Sequence, residues 1–171
     1  MSVFARLLKV DQRLTRRLQV AEKPGKRRAV FSLLAHSGDS WFWLGGLALL
    51  WLAGTPFWRG WAEKIAFGIL ATAVVVLLVK FSVRRRRPEG EWGGMYRKTD
   101  PHSFPSGHAA RAFMLAVLGL WLGPAWLGWL LLAWAPLVTL ARVAMGVHYL
   151  SDVLAGAVFG ALIGWGLVQL I

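Results

Sequence analysis

The chain has 171 residues, 57% of them hydrophobic, and its 20 Lys and Arg against 8 acidic residues give a formal net charge of +12. Such apolar content is too high for an ordinary soluble domain of this length, and the absence of cysteine excludes disulfides, thiolate metal sites and a cysteine nucleophile. The basic residues flank apolar runs without forming a nucleic-acid-binding motif, so the charge predicts contact with anionic lipid and no nucleic-acid partner.

The N-terminal segment, residues 3–20, predicts an amphipathic helix. Leucines such as Leu7 and Leu14 fall near one face, and basic residues such as Arg13 and Arg17 cover much of the other. A helix with this much charge cannot cross a bilayer, and we expect it to lie along the membrane surface.

Long apolar runs predict five membrane-spanning helices in the rest of the chain, since about 20 apolar residues cross the roughly 30 Å hydrocarbon core. The predicted spans are residues 40–58, 61–83, 108–122, 125–141 and 149–171. A turn at Arg59 and Gly60 separates the first two spans. The Gly123-Pro124 pair divides the third from the fourth, because proline does not easily continue a helix.

These elements predict an all-α fold, a polytopic membrane helical bundle of about five transmembrane helices plus an N-terminal amphipathic interfacial helix. The expected organisation is a single domain, residues 1–171, with the basic interfacial helix and linker at 1–28 and the transmembrane bundle at 40–171. In the last span Gly156, Gly160 and Gly164 form a small-residue stripe, which predicts close helix packing. With five alternating crossings, the polar segments 84–104 and 141–149 fall on the same membrane face.

The first polar cluster, KFSVRRRRP, follows the second span. If that helix continues through the cluster, Lys80, Arg84 and Arg87 share one face, and Pro88 ends the helix. A polybasic flank that reaches lipid head groups is the alternative interpretation. The lysine placed seven residues before an Arg-Pro pair is the more specific signal.

The second cluster, SFPSGHAAR, precedes the third span. Pro105, Ser106 and Gly107 predict a helix N-terminus, whose free backbone N–H groups and positive dipole end bind anions. His108 lies in the first turn of that helix, facing whatever anion binds. A simple helix cap with an interfacial histidine is the alternative.

The third cluster, ARVAMGVHYLSD, joins the fourth and fifth spans. His148 and Asp152 are four residues apart and share a face if the segment is helical, so the carboxylate can hold one ring nitrogen and leave the other as a nucleophile or base. Arg142 precedes them at the end of the fourth span. Ionisable residues beside an apolar helix are costly and usually functional, although a purely structural His–Asp pair is the alternative.

Metal binding is the main rival use of histidine and aspartate, and it fits these clusters poorly. Lys80, Arg87 and Arg142 would repel a divalent cation, and carboxylates are too few for an oxygen-rich site. Cations, a helix N-terminus and a carboxylate-oriented histidine suit phosphoryl transfer, in which negative charge spreads over three oxygens. We expect no metal and no cofactor.

Together the clusters resemble the type 2 phosphatidic acid phosphatase family of membrane lipid phosphatases, over about residues 60–160. The family motifs are Lys followed seven residues later by Arg-Pro, then Pro-Ser-Gly-His, then Ser-Arg, five residues, His, three residues and Asp. The matching residues are Lys80, Arg87 and Pro88, then Pro105 to His108, then Arg142, His148 and Asp152. One position departs, because Ala141 stands where the family has Ser, and we expect this to affect substrate fit.

The resemblance implies a metal-free phosphatase with a covalent intermediate. His148 would attack phosphorus and form a phosphohistidine, His108 would protonate the leaving group, and Asp152 would orient His148. The implied phosphate-binding residues are Lys80, Arg87, Ser106, Gly107 and Arg142. Polyprenyl diphosphate, phosphatidylglycerol phosphate and phosphatidic acid are the candidate substrates.

Two further arginines lie near the motifs. Arg84 is expected to contact a second phosphate, which favours an undecaprenyl-type diphosphate. Arg111, one turn beyond His108, is expected to contact a lipid head group or a loop acid. Two other functions stay open, a lipid-to-lipid phosphotransferase with the same pocket and a non-catalytic lipid-binding protein. The latter would be expected to lose His148, His108 or Asp152.

The expected location is the cell membrane. Counting Lys and Arg places residues 84–104 in the cytoplasm. Phosphate binding already accounts for several of these arginines, however, and bacterial relatives commonly have the site outside. We therefore expect the active site at the outer, periplasmic face.

Overall fold

A computed structural model describes residues 3–21, 23–97 and 99–170 of the chain, which form eight helices. Their bounds are α1 Val3–Leu18, α2 Lys26–His36, α3 Ser40–Ala53, α4 Pro56–Val83, α5 Glu91–Arg97, α6 Gly107–Leu122, α7 Ala125–Ala144 and α8 Leu150–Leu170. Among the described residues, an isolated bridge between Arg86 and His102 is the only β geometry. The all-α prediction is confirmed, and residue 171 of the predicted last span lies outside the described residues.

Five apolar helices correspond to the five predicted spans, but they differ in length. Helices α4, α7 and α8 are long and apolar enough to cross a membrane. With 14 and 16 residues, α3 and α6 are shorter, about 21 and 24 Å at a rise of roughly 1.5 Å per residue. That α3 and α6 cross the membrane completely remains a prediction.

Apolar side chains cover the outside of the long helices. Examples with more than half of their surface exposed are Leu70, Val74 and Leu78 on α4, Trp126, Trp129 and Leu130 on α7, and Leu154, Val158 and Leu162 on α8. So much exposed apolar surface is unfavourable in water and suits hydrocarbon. A separate apolar core, containing Ile65, Ile69, Met114 and Leu118, lies where α3, α4, α6 and α8 meet.

The glycine stripe of α8 packs directly on α6, as predicted. A Cβ atom at Gly156 would lie 2.5 Å from the Ser106 carbonyl oxygen, and one at Gly160 would lie closer still to that of Ala110. The Ser106 N–H also donates to the carbonyl of Asp152 at 2.9 Å. The beginnings of α6 and α8 are therefore held side by side.

The first turn of the bundle differs from the prediction. Helix α3 ends at Ala53 and α4 begins at Pro56, so Arg59 and Gly60 lie inside α4. The reason is local, because Gly54 ends one helix and Pro56 occupies the first position of the next, where its missing N–H costs nothing.

The end of α4 also differs. The helix stops at Val83, and Arg84 adopts a left-handed conformation with φ 51° and caps it through a bond from its N–H to the Lys80 carbonyl. Lys80, Arg84 and Arg87 therefore do not share a helical face, and that prediction is wrong. The chain reverses at Arg84, which leaves Arg84 exposed and buries Arg87.

The N-terminal region contains one helix that was predicted and one that was not. Helix α1 agrees with the prediction, whereas α2 occupies residues 26–36, which begin in the predicted linker. Helix α2 packs on α7 through Ala35, which lies against Ala141 and Ala144. A short helix that begins with three basic residues has little amphipathic pattern, so its position depends on this packing.

Candidate active site

A cavity of about 300 Å³, lined by both charged and apolar side chains, lies at the end of the bundle where α4 ends and α6 begins. Its lining includes most of the predicted site residues. Those that line it are Lys80, Arg87, Gly107, His108, Arg111, Arg142 and His148, joined by Ser40, Thr72, Ala73, Val76, Leu77, Tyr96, Thr99 and Asp100. The three sequence clusters therefore meet, as the shared membrane face predicted.

Cations dominate this cavity. Lys80, Arg87, Arg111 and Arg142 all line it and are all buried, and Asp100 is the lining carboxylate among the described residues. Buried cations are costly unless an anion is near. The cavity thus has an excess of positive charge that favours an anionic ligand.

Asp100 supplies part of the compensating charge. Its carboxylate accepts from the Lys80 ammonium and from Arg87 Nη2, the latter at 2.7 Å. Burial acts to raise the pKa of Asp100, but Lys80 and Arg87 outweigh it and hold this pKa below its ordinary value. Asp100 is therefore an ionised carboxylate. It binds the two cations to which the motifs assign phosphate binding.

Arg142 reaches the cavity from the last turn of α7. Its Nη1 donates to the Tyr96 hydroxyl at 3.2 Å, and its guanidinium stacks 4.8 Å from the centre of that ring. Its buried Nε has no hydrogen-bond partner among the residues described. A buried donor without a partner is unfavourable, and a ligand oxygen would satisfy it.

His148 lies in the loop before α8 and is 1% exposed. Arg87 Nη1 lies 3.1 Å from its Nε2, and because a guanidinium only donates, Nε2 accepts and Nδ1 carries the proton of the neutral ring. Burial, followed by the charges of Arg87 and Arg142, lowers the pKa of His148 well below its ordinary value. The ring is therefore neutral, with the lone pair of Nε2 on the side of the cations.

Asp152 stands behind this histidine. Its Oδ2 lies 3.6 Å from His148 Nδ1, beyond hydrogen-bond distance, and accepts the Tyr149 N–H at 2.9 Å. The predicted helical i, i+4 geometry is wrong, because α8 begins only at Leu150. The predicted proximity holds nevertheless, because the turn before α8 folds His148 back over the carboxylate.

Arg85 and α1 hold Asp152 from the other side. Arg85 donates to Asp152 Oδ1 at 2.7 Å and to Asp11 of α1 at 2.6 Å. Asp11 also accepts the Ser151 N–H at 3.0 Å, and the Thr15 hydroxyl accepts the Leu150 N–H at 2.9 Å. Side chains of α1 thus cap the free N–H groups at the start of α8.

The predicted helix N-terminus is present, with Ser106 as its cap and His108 in its first turn. The Ser106 hydroxyl accepts the Ala109 N–H and is not part of the cavity lining, whereas Gly107 lines the cavity. His108 Nε2 lies 2.6 Å from Asp39 Oδ1, in the turn between α2 and α3. The sequence clusters did not include this aspartate.

The accessory arginines behave differently from each other. Arg84 is exposed and donates to the Phe81 carbonyl, so the expected contact with a second phosphate in the cavity is not supported. Arg111 donates to the Gly38 carbonyl at 2.8 Å and to the Ser40 hydroxyl. Its contact is with a loop, as expected, but with a carbonyl and a hydroxyl rather than with an acid.

The position that departs from the family motif lies outside the cavity lining. Ala141 is fully buried among Ala21, Ala35 and Met145. Among the described residues, no group of three histidine and acidic side chains is arranged to hold a metal ion.

The functional neighbours that the sequence did not reveal are Asp11, Asp39, Arg85, Tyr96 and Asp100. Four of them contact a predicted residue directly, whereas Asp11 contacts Arg85 and Ser151. All of these contacts join segments that are separated in sequence. Asp39 had one usable signal, an acid placed just before the first apolar run.

Comparison with known proteins agrees with this geometry. The PAP2 superfamily model matches residues 61–171. The chain is similar to decaprenylphosphoryl-5-phosphoribose phosphatase of Mycobacterium tuberculosis, with 35% identity over 133 residues, 77% of this chain and 73% of that protein. It is also similar to undecaprenyl-diphosphatase of Sulfolobus acidocaldarius, with 31% identity over 144 residues, 80% of this chain and 67% of that protein.

A solved structure has the same fold. It is the transmembrane PAP2 type phosphatidylglycerolphosphate phosphatase from Bacillus subtilis, with a TM-score of 0.76 and 20% identity, covering 96% of this chain and 86% of that one. The family match over residues 61–171 covers more than half of the chain. The chain therefore belongs to the PAP2 superfamily and is a membrane phosphatase, as its motifs predicted.

Proposed function

We propose that this phosphatase removes the terminal phosphate of a lipid phosphate or diphosphate through a phosphohistidine on His148, without a metal. The observation that carries the proposal is the position of His148, a buried ring whose Nε2 lies 3.1 Å from Arg87 among the cations of the cavity. Lys80, Arg87 and Arg142 would hold the nonbridging oxygens, since an arginine fork matches phosphate geometry.

The reaction proceeds in two displacements. The lone pair of His148 Nε2 attacks phosphorus, and the bond from phosphorus to the lipid oxygen breaks as His108 gives that oxygen a proton. The imidazolium that forms keeps its Nδ1 proton toward Asp152, whose charge stabilises it. Water then attacks phosphorus, His108 takes a proton from the water, and the bond from phosphorus to Nε2 breaks.

A polyprenyl phosphate or diphosphate is the substrate class that we favour. The cavity continues along apolar side chains of α4, including Ala73, Val76 and Leu77, which gives a lipid chain a path beside the helix. Two relatives carry names with a prenyl lipid phosphate or diphosphate. Arg111, rather than Arg84, is the additional cation available to a second phosphate.

The first experiment measures phosphate release from detergent-purified protein in EDTA, across a panel of lipid phosphates. We expect activity in EDTA and a loss on the order of 10⁴-fold in His148→Ala, because a catalytic unit fails when one member is removed. His102→Ala is the matched control, since His102 contacts Phe81 and does not line the cavity. Activity that needs a metal, or that survives in His148→Ala, would contradict the proposal.

The same panel separates hydrolysis from transfer. Released inorganic phosphate supports the hydrolase. Label that moves to an acceptor lipid without free phosphate would instead identify the phosphotransferase.

We further propose that the protein lies in the cell membrane with its cavity at the outer face. The opposite orientation has support from the basic side chains of α1, because this helix lies at the cavity end. The chain has no cysteine, so single exposed cysteines are clean probes. An impermeant maleimide should label Glu89→Cys and spare Thr55→Cys in intact cells, and the reverse pattern would place the cavity in the cytoplasm.

A further inference from the structure

Asp39 occupies the turn between α2 and α3, beside the cavity. Its Oδ1 lies 2.6 Å from Nε2 of His108, and its Oδ2 lies 2.9 Å from Nδ1 of His36. Its side chain is 15% exposed. The carboxylate thus lies between two imidazoles, one of which lines the catalytic cavity.

An aspartate at this position would ordinarily serve as a helix cap. Asp39 is the N-cap residue of α3, yet its side chain makes no capping hydrogen bond. Both of its oxygens face histidine nitrogens instead. The turn itself is fixed by Arg111, which binds Gly38 and Ser40 on either side of Asp39.

The protonation of this group follows from its neighbours. Burial acts to raise the pKa of Asp39, but the hydrogen bonds from His108 and His36 outweigh it and hold this pKa below its ordinary value. A carboxylate only accepts, so Nε2 of His108 carries a hydrogen. The other ring nitrogen, Nδ1, is then the one left for a reacting oxygen.

We propose that Asp39 is the positioning residue of His108, as Asp152 is for His148, so that each histidine of the cavity has its own aspartate behind it. This inference rests on the proposed function, in which His108 protonates the lipid oxygen. Asp39 fixes the ring with Nδ1 toward the substrate and stabilises its protonated form.

The proton balance of the cycle defines what Asp39 does. His108 begins with hydrogens on both ring nitrogens and gives the Nδ1 proton to the lipid oxygen as the bond to phosphorus breaks. The ring is left neutral, with Nε2–H still on Asp39. Nδ1 then takes a proton from the water that attacks the phosphohistidine, which restores the starting state.

The test uses the leaving group, because a general acid matters when the departing oxygen is strongly basic. A lipid alkoxide needs the proton, whereas p-nitrophenolate leaves without one. We expect Asp39→Asn to lower kcat/KM about 10- to 100-fold on the lipid phosphate, within the range of general acid catalysis. On p-nitrophenyl phosphate we expect kcat/KM to change less than about 3-fold. The attack of water on the phosphohistidine is common to both substrates and does not enter kcat/KM, which reports the steps up to phosphohistidine formation.

Controls separate this inference from the proposed function. Glu63→Gln removes an acid at the other end of α4 that pairs with Trp51, and we expect wild-type rates. His108→Ala should show the same selective loss of kcat/KM as Asp39→Asn, but larger. If His108→Ala affects both substrates equally, the role of His108 in the proposed function is wrong.

A selective loss in His108→Ala with none in Asp39→Asn would overturn the inference alone. An equal loss on both substrates in Asp39→Asn would reduce Asp39 to a structural role and overturn it as well. If Asp39→Asn does not fold, Asp39→Glu is the replacement variant, because it keeps the charge. In addition, ¹⁵N NMR of the wild-type histidines detects the hydrogen bond from His108 Nε2 to Asp39 directly. A His108 Nε2 without a bonded hydrogen in that spectrum would also overturn the inference.

Discussion

The two histidines of the cavity have opposite surroundings. His148 is buried, accepts a hydrogen bond from Arg87 at Nε2 and has its carboxylate at 3.6 Å. His108 is half-buried and has Asp39 at 2.6 Å. The bond from Arg87 requires the lone pair of Nε2 on His148, whereas the bond to Asp39 requires a hydrogen on Nε2 of His108. The same residue type thus presents a different ring nitrogen at each place because its neighbours differ.

Among changes to the neighbours of the two histidines, the largest effect is expected beside His148. Arg87→Ala removes the donor at Nε2 and a phosphate-binding cation, and we expect kcat/KM to fall about 10³-fold, as for loss of a preorganised electrostatic donor. Arg84→Ala is the matched control, because Arg84 is exposed three residues earlier. Equal losses in the two variants, measured on a monophosphate and a diphosphate, would contradict the placement of Arg87.

A smaller effect is expected one contact further from the cavity. Arg85→Ala leaves Asp152 and Asp11 without their shared partner, and we expect kcat to fall about 10-fold, as when a partner that orients a reacting group is lost. KM should change little, because Arg85 does not line the cavity.

Arg86→Ala is the control for that variant, since Arg86 is exposed beside it. A rise in KM without a fall in kcat would show that Arg85 binds substrate instead. Asp39→Asn is the corresponding change beside His108. Of Arg85→Ala and Asp39→Asn, only Asp39→Asn should cause a loss of activity that depends on the leaving group.

The smallest expected effect is a gain in phosphate binding rather than a loss of activity. Asp100→Asn removes the carboxylate that occupies Lys80 and Arg87. We expect inorganic phosphate to inhibit about 3- to 10-fold more tightly, because one competing charge at a screened site contributes on the order of 1 kcal/mol. Thr99→Ala, a change at the neighbouring cavity residue, should leave this inhibition unchanged. Weaker inhibition in Asp100→Asn would mean that Asp100 orders the two cations rather than competing for them.

The motif residues could be predicted from the sequence because their chemistry is specific and their spacing is local. Lys80, Arg87, Arg142 and His148 reach one cavity even though the assumed helix through residues 80–87 is absent. The prediction that these residues meet at one membrane face required only the order of the predicted spans.

The neighbours of those residues could not be predicted in the same way. Four consecutive arginines look alike in sequence, and the left-handed turn at Arg84 decides that Arg85 and Arg87 point inward. Asp39 meets His108 across 69 residues of chain. Such contacts depend on how the helices pack, and neither periodicity nor composition reports that packing.

The glycines of α8 have a consequence for catalysis. Gly156 and Gly160 let the backbone of α8 touch that of α6, and the Ser106 N–H joins the two helices at the level of Asp152. His108 lies at the start of α6, and His148 just before α8. The spacing between the two histidines is therefore set in part by residues that have no side chain.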